Sequence, residues 1–141
     1  MRKMETAELT KESDSIVMGT VTKIASLYDR GFFTDVTIMA EQFIKGNVTP
    51  EITVRIPGGE INGVSLKVSD TPIFNQGERV ILFIKKSKVG NYNIVEGLHQ
   101  GKLTIDKNNS VIEKSLPLDT VIQEIKTNIK PAPILNPEVA Q

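Results

Sequence analysis

The sequence predicts a mainly β fold, a small antiparallel, partly closed barrel of the oligonucleotide/oligosaccharide-binding (OB) type with about six to eight strands. Three observations predict it. Short segments with period-two alternation of apolar residues follow one another along the chain. Glycines stand inside these segments, where a sheet can bend toward closure. Residues 80–84 are apolar on both faces, as in a central strand covered on both sides. A β-sandwich is the alternative architecture.

The N-terminal part predicts a helix followed by a long hairpin. Residues 5–13 favour a short polar helix with Leu9 as its main apolar anchor. Residues 16–24 then predict the first long strand, in which Gly19 suits a bend or bulge because it carries no side chain. Residues 32–40 predict the second strand, so the two strands together form a hairpin.

The middle of the chain contains two further period-two runs, each with one apolar and one polar face: Ile52, Val54, Ile56 and Val64, Leu66, Val68. Residues 57–63 between them hold a proline and three glycines, which predicts a hairpin with an open loop. Residues 75–78 predict a tight turn that leads into the central strand at 80–84.

The C-terminal part predicts short strands at 92–95 and 102–105 and then an amphipathic helix. The helix is indicated by apolar residues at helical spacing, and Thr120 with Gln123 is a candidate capping box. These apolar residues are Leu118, Val121, Ile122, Ile125 and Ile129. We expect the apolar stripe to pack against one opening or face of the barrel. Residues 1–130 are therefore predicted to form one domain, and the proline-rich residues 131–141 an extended tail.

Composition limits the classes of function. The 141 residues contain 17 basic and 17 acidic side chains, so net charge gives no drive toward nucleic acid or an anionic membrane. Cysteine is absent, which excludes disulfides, thiolate metal sites and cysteine nucleophiles. No apolar run approaches the length that spans a bilayer, and the first residues lack the apolar core of a signal peptide. An export signal removed from the chain is compatible with this start.

No pattern for catalysis or metal binding is found. The only histidine, His99, stands between two glycines in a predicted turn, and we interpret it as structural or exposed. No G-x-S-x-G motif is present, and the carboxylates are scattered over separate turns. No Gly-Lys-Ser/Thr follows the glycine pair Gly58-Gly59, so a phosphate loop is not predicted. We expect no enzyme activity, no cofactor and no metal.

A resemblance to a known group of domains rests on glycine and proline spacing across roughly residues 5–130. The motifs that carry it are S-I-V-M-G-T-V at 15–21, P-G-G at 57–59, P-I-F at 72–74, G-E-R-V-I-L-F at 77–83 and G-L-H-Q-G-K at 97–102. This pattern resembles poorly characterised bacterial and archaeal domains that are typically exported and in some members precede a matrixin-like zinc protease. The resemblance implies a non-catalytic β-barrel module of the cell envelope or secreted fraction, with a binding or spacer role. The protease would need H-E-x-x-H, which a single histidine cannot supply.

A second hypothesis is an intracellular OB-type domain that binds single-stranded nucleic acid. Cations that follow the backbone and aromatic faces that stack bases are the usual combination in such domains. The candidate residues are Lys85, Lys86 and Lys88, with Tyr92, Phe32 and Phe33. Lysines at a strand end also occur simply as a solvated turn, and aromatic residues make up only 5% of the chain. The leading hypothesis therefore has an unknown protein or polymer as partner and an extracellular or cell-envelope location, with the cytoplasm as the alternative.

Overall fold

A ring of five strands organises the protein in the computed structural model, which describes residues 2–46 and 49–129. The predicted tail at 131–141 lies outside the described residues. The helices are α1 (Thr6–Glu12) and α2 (Leu118–Thr127), and a short 3-10 helix spans Leu98–Gly101. The strands are β1 (Ser15–Tyr28), β2 (Phe32–Lys45), β3 (Glu51–Pro57), β4 (Gly59–Ile61), β5 (Val64–Leu66), β6 (Arg79–Lys86), β7 (Asn93–Val95), β8 (Lys102–Ile105), β9 (Ser110–Val111) and β10 (Leu116–Pro117).

The ring follows the order β1-β2-β3-β7-β6 and closes where β6 pairs with β1. Its pairings are antiparallel except for β3 with β7, which are parallel and share the single pair Val54–Asn93. Strands β8, β9 and β10 continue the sheet from β6. The mainly β, OB-like fold with a helix near each end is thus confirmed. The ten strands of the described residues exceed the predicted six to eight because several span only two or three residues, too few to show alternation.

The long β1–β2 hairpin bends at Gly19. The pairing register of the two strands shifts between Met18 and Gly19. A Cβ atom at Gly19 would overlap the carbonyl oxygen of Met39 on β2, so only glycine lets the strands approach this closely. The predicted bend is therefore confirmed.

Strand β6 separates two apolar clusters because its side chains alternate between the faces of the sheet. The inner cluster lies within the ring and contains Val17, Val21, Val36, Ile38, Val54, Ile56, Val80, Leu82, Ile84 and Val95. The outer cluster lies beneath the two helices and includes Leu9, Ile16, Met18, Ile81, Phe83, Leu103, Val121, Ile122 and Ile125. Residues 80–84 are at most 1% exposed, which confirms the central strand.

Helix α2 packs its apolar stripe on the outer face of the ring, in agreement with the predicted packing. The predicted capping box is wrong. The helix begins at Leu118, with Pro117 at the N-cap and no side-chain cap hydrogen bond, so Thr120 is exposed within the first turn. The chain enters the helix directly from β10, and this fixes its start earlier than the Thr120–Gln123 spacing suggested.

The hairpin predicted between residues 52–56 and 64–68 is also wrong. Strand β5 pairs with β4 across the turn Asn62-Gly63, while β3 pairs with β2. Asn62 and Gly63 have φ of 51° and 81°, the left-handed pair that a two-residue hairpin turn requires. Strand β5 is exposed along its whole length, so its alternation does not mark a buried face.

Candidate ligand-binding face

The outer surface of β2, β3 and β7 is the candidate functional site, called here the β2–β3 face. OB-type barrels bind their ligands on the equivalent strands and adjoining loops. Val36 and Val54 point into the inner cluster, so Asp35 and Arg55, their neighbours along the strands, point outward. The β2–β3 register places Asp35 directly opposite Arg55.

Arg55 is held at the centre of this face by carboxylates. Its Nε atom donates to Oδ1 of Asp35 at 2.8 Å, and Nη2 donates to Oδ2 at 3.1 Å. Its Nη1 atom lies 3.6 Å from Oδ2 of Asp29 in the turn between β1 and β2. The hydrogen bond with Asp35 raises the pKa of Arg55. The guanidinium is therefore charged at every physiological pH and fixed in orientation.

Two aromatic rings flank the guanidinium of Arg55. Its Cζ atom lies 5.6 Å from the ring centroid of Phe33 and 5.0 Å from that of Tyr92. The two centroids are 6.3 Å apart. The backbone of Gly90 lies so close to Tyr92 that a Cβ atom there would overlap the ring. The guanidinium and the backbone of the chain thus occupy ring surface that a stacked base would use.

A cavity of about 580 Å³ lies beside Arg55 on the same face. Strands β3 and β7 share only one residue pair there, so the ring is open next to the cavity. The neutral polar side chains that line it are Ser15, Thr49, Thr53, Asn91 and Asn93. The charged ones are Asp35, Glu51, Arg55 and Lys86, which balance in sign. Neutral hydroxyl and amide groups with balanced charges suit an uncharged polar ligand.

The three predicted lysines do not gather on this face. Lys86 lines the cavity, and its backbone N–H donates to Asp14. The Nζ atom of Lys85 lies 3.7 Å from a carboxylate oxygen of Glu12 and 3.7 Å from one of Glu96, so its charge is compensated. Lys88 is exposed in the loop between β6 and β7. One predicted cation of the three therefore reaches the candidate site.

The predicted aromatic residues are divided in the same way. Phe33 and Tyr92 come together around Arg55 on the β2–β3 face. Phe32 instead contacts Tyr28 across the β1–β2 hairpin, with centroids 5.5 Å apart in an edge-to-face arrangement. Adjacent residues of a strand point to opposite faces, which explains why Phe32 and Phe33 separate.

Sequence reasoning missed Arg55 and Asp35 as site residues. The alternation of Val54 and Ile56 places Arg55 on the polar face of its strand and indicates nothing more. Its pairing with Asp35 depends on the β2–β3 register, for which an opposite-charge cross-strand pair is the one available signal.

His99 has a structural role. Its backbone N–H donates to the carbonyl oxygen of Asp70 at 2.9 Å, and its Nδ1 atom lies 3.3 Å from the same oxygen. In the described ranges 2–46 and 49–129, no three histidine or carboxylate side chains cluster as metal ligands. Neither α1 nor α2, the two α-helices of that part of the chain, is long and apolar enough to cross a membrane.

Comparison with known proteins adds no family. No protein-family model matches the chain, and no curated protein is similar to it in sequence. The resemblance to exported barrel domains therefore stays a hypothesis.

Proposed function

We propose that this protein is a non-catalytic binding module of an exported or cell-envelope protein, and that it binds a protein or polymer partner on the β2–β3 face. The observation that carries the proposal is the cavity of about 580 Å³ beside the fixed Arg55–Asp35 pair. Its volume lies within the range of about 300–1,000 Å³ that is usual for ligand sites.

The chemistry of the face favours a polar, uncharged segment of the partner. Arg55 forms two hydrogen bonds to Asp35, so its orientation is set before a ligand arrives and little side-chain entropy is lost on binding. Thr53 and Asn93 present hydroxyl and amide groups beside it. Such groups both donate and accept hydrogen bonds, which suits the hydroxyls of a polysaccharide or the amides of a polypeptide.

The proposal is tested by measuring how much fluorescently labelled protein sediments with insoluble envelope material from its own organism. A Thr53→Arg variant fills the cavity with a long side chain from an exposed strand position and should abolish saturable retention. A Gln123→Arg variant places the same side chain on the exposed surface of α2 and should be retained like the wild type. Equal retention of all three proteins, or none of the wild type, would contradict the proposal.

Binding of single-stranded nucleic acid is the second candidate. It is favoured by two cations, Arg55 and Lys86, which line the same cavity on the β2–β3 face and suit the phosphates of a single strand. Fluorescence anisotropy with a labelled oligothymidylate at two salt concentrations tests it. A nucleic-acid module should bind more weakly at the higher salt concentration because binding releases counterions. Anisotropy that does not change with protein concentration excludes this candidate.

A further inference from the structure

A second cavity, of about 570 Å³, opens at the end of the barrel where the β1–β2 hairpin, the end of β3 and the segment 66–74 meet. It is distinct from the cavity on the β2–β3 face, because neither Arg55 nor Tyr92 is among the residues that line it. We call it the mouth cavity. Its apolar lining includes Ile24, Val36, Ile56, Leu66, Ile73 and Phe74.

The floor and the rim of the mouth cavity differ in exposure. Val36 and Ile56 form a buried apolar floor, with 1% and 6% of their surface exposed. At the rim, Ile24 is 38%, Leu66 47% and Ile73 70% exposed. Three large aliphatic side chains thus surround one hollow while remaining in contact with water. Exposed apolar groups that surround a concave site are typical of an unoccupied apolar ligand site.

The rim segment 66–74 is anchored although most of it lacks regular secondary structure. The backbone N–H of His99 donates a hydrogen bond to the carbonyl oxygen of Asp70. The Nζ atom of Lys102 donates to the carbonyl oxygen of Ile73, pairs with Glu78 at 2.9 Å and lies 4.9 Å from the ring centroid of Phe74. The hollow is therefore formed before any ligand binds, which lowers the entropic cost of binding.

The lining decides the class of ligand. All its apolar side chains except Phe74 are aliphatic, and the ammonium of Lys102 already lies against the Phe74 ring. A planar aromatic ligand would find no free ring on which to stack. Among the polar residues of the lining, Thr34, Ser69 and Thr71 are neutral. Lys67 and Asp70 bring one positive and one negative charge, so the charge of a head group is not selected. An aliphatic chain is the chemistry that fits.

We propose that the mouth cavity binds the aliphatic chain of a monomeric single-chain amphiphile. Its affinity depends on chain length and little on the charge of the head group. Each methylene that leaves water should tighten binding by up to about fourfold, until the cavity is full.

The test is a fluorescence titration with 11-(dansylamino)undecanoic acid below its micelle concentration. Dansyl emission should rise, shift to the blue and saturate. Decanoate should displace the probe at up to about sixteenfold lower concentration than octanoate, which is two methylenes shorter. Nonyltrimethylammonium, with the same nine-carbon aliphatic chain and the opposite charge, should displace it like decanoate. No saturable emission change, or displacement by only one sign of head group, would overturn the proposal. These measurements use the unmodified chain.

Variants locate the site. Leu66→Ser and Ile73→Ser, each at an exposed rim position, should weaken probe binding severalfold while the far-UV circular dichroism stays unchanged. Val89→Ser and Ile112→Ser remove aliphatic groups that are 89% and 57% exposed and lie outside the cavity. They should bind the probe like the wild type. Equal weakening in all four variants, or in none, would show that the probe adsorbs elsewhere and would refute the assignment.

Discussion

Replacement of Gly19 by alanine should lower the free energy of unfolding by about 1–3 kcal/mol, the usual cost of overpacking. The new methyl group would overlap the carbonyl oxygen of Met39 and would lie 2.8 Å from the Cγ2 atom of Ile38. Strand β1 cannot move aside freely, because it pairs with β2 along one edge and with β6 along the other. The backbone of one strand must therefore shift, and ladder hydrogen bonds near Gly19 must lengthen.

Urea unfolding followed by far-UV circular dichroism measures this effect. With a slope of about 2 kcal/mol per molar urea, a loss of about 2 kcal/mol lowers the midpoint by about 1 M. Gly31→Ala is the matched control, because a Cβ atom there meets only the Phe33 ring at an ordinary 3.6 Å and the position has no positive φ. The control should keep or raise stability by up to about 1 kcal/mol. If Gly19→Ala unfolds at the wild-type midpoint, the bend does not require glycine.

Asp35→Asn should lower the free energy of unfolding by about 1.5 kcal/mol, the low end for charged hydrogen bonds because Asp35 is 30% exposed. An unchanged urea midpoint would mean that Asp29 and the aromatic rings suffice to hold Arg55. The hydrogen bond from Arg79 lowers the pKa of Glu41 below its ordinary 4.5. The ion pair therefore stabilises the fold at pH values above 4.5, and this stabilisation is lost as the pH falls through the lowered pKa of Glu41 in the folded state. Thermal melts of wild type and Glu41→Gln should therefore differ near neutral pH and converge in acid; a constant difference would contradict this. Thr120→Ala should change stability by less than about 0.5 kcal/mol, as for an exposed site, whereas a loss of about 1 kcal/mol in urea unfolding would restore the capping box.

The parts of the fold that follow from local pattern were predictable. Residues 80–84 are apolar at every position, and their short length and their β-branched and aromatic residues favour a strand covered on both faces over a buried helix. Gly19 indicated a bend because a glycine inside a strand removes a side chain where another backbone approaches. Both features depend on residues that lie close together in sequence.

The hairpin error has a physical reason. Alternation in residues 64–68 matched a half-buried strand, but alternation does not identify the partner strand. Asn62-Gly63 was the stronger signal, since asparagine and glycine tolerate the positive φ of a two-residue turn. A two-residue turn at Asn62-Gly63 pairs Ile61 with Val64, which leaves β3 to pair with β2.

The candidate site was only partly predictable because its members come from separate strands. Phe33 on β2 and Tyr92 in the loop before β7 are both predicted site residues, but the guanidinium between their rings comes from Arg55 on β3. Lys85 looked available for a ligand in the sequence. Its partner Glu12 lies on α1, and no local pattern could have indicated that ion pair.

The pairing of β1 with β6 has a consequence for how the chain folds during synthesis. Ser15 pairs with Ile84, so the β1–β2 hairpin leaves the ribosome long before β6 is available to close the ring. The hairpin has two apolar faces, one with Val17 and the other with Ile16. Both remain exposed to water until β6, and finally α2, have been synthesised. Pairing between strands that are far apart in sequence slows folding, and it prolongs the time for which aggregation-prone strands are exposed. A nascent chain that stalls before α2 should therefore be a chaperone client.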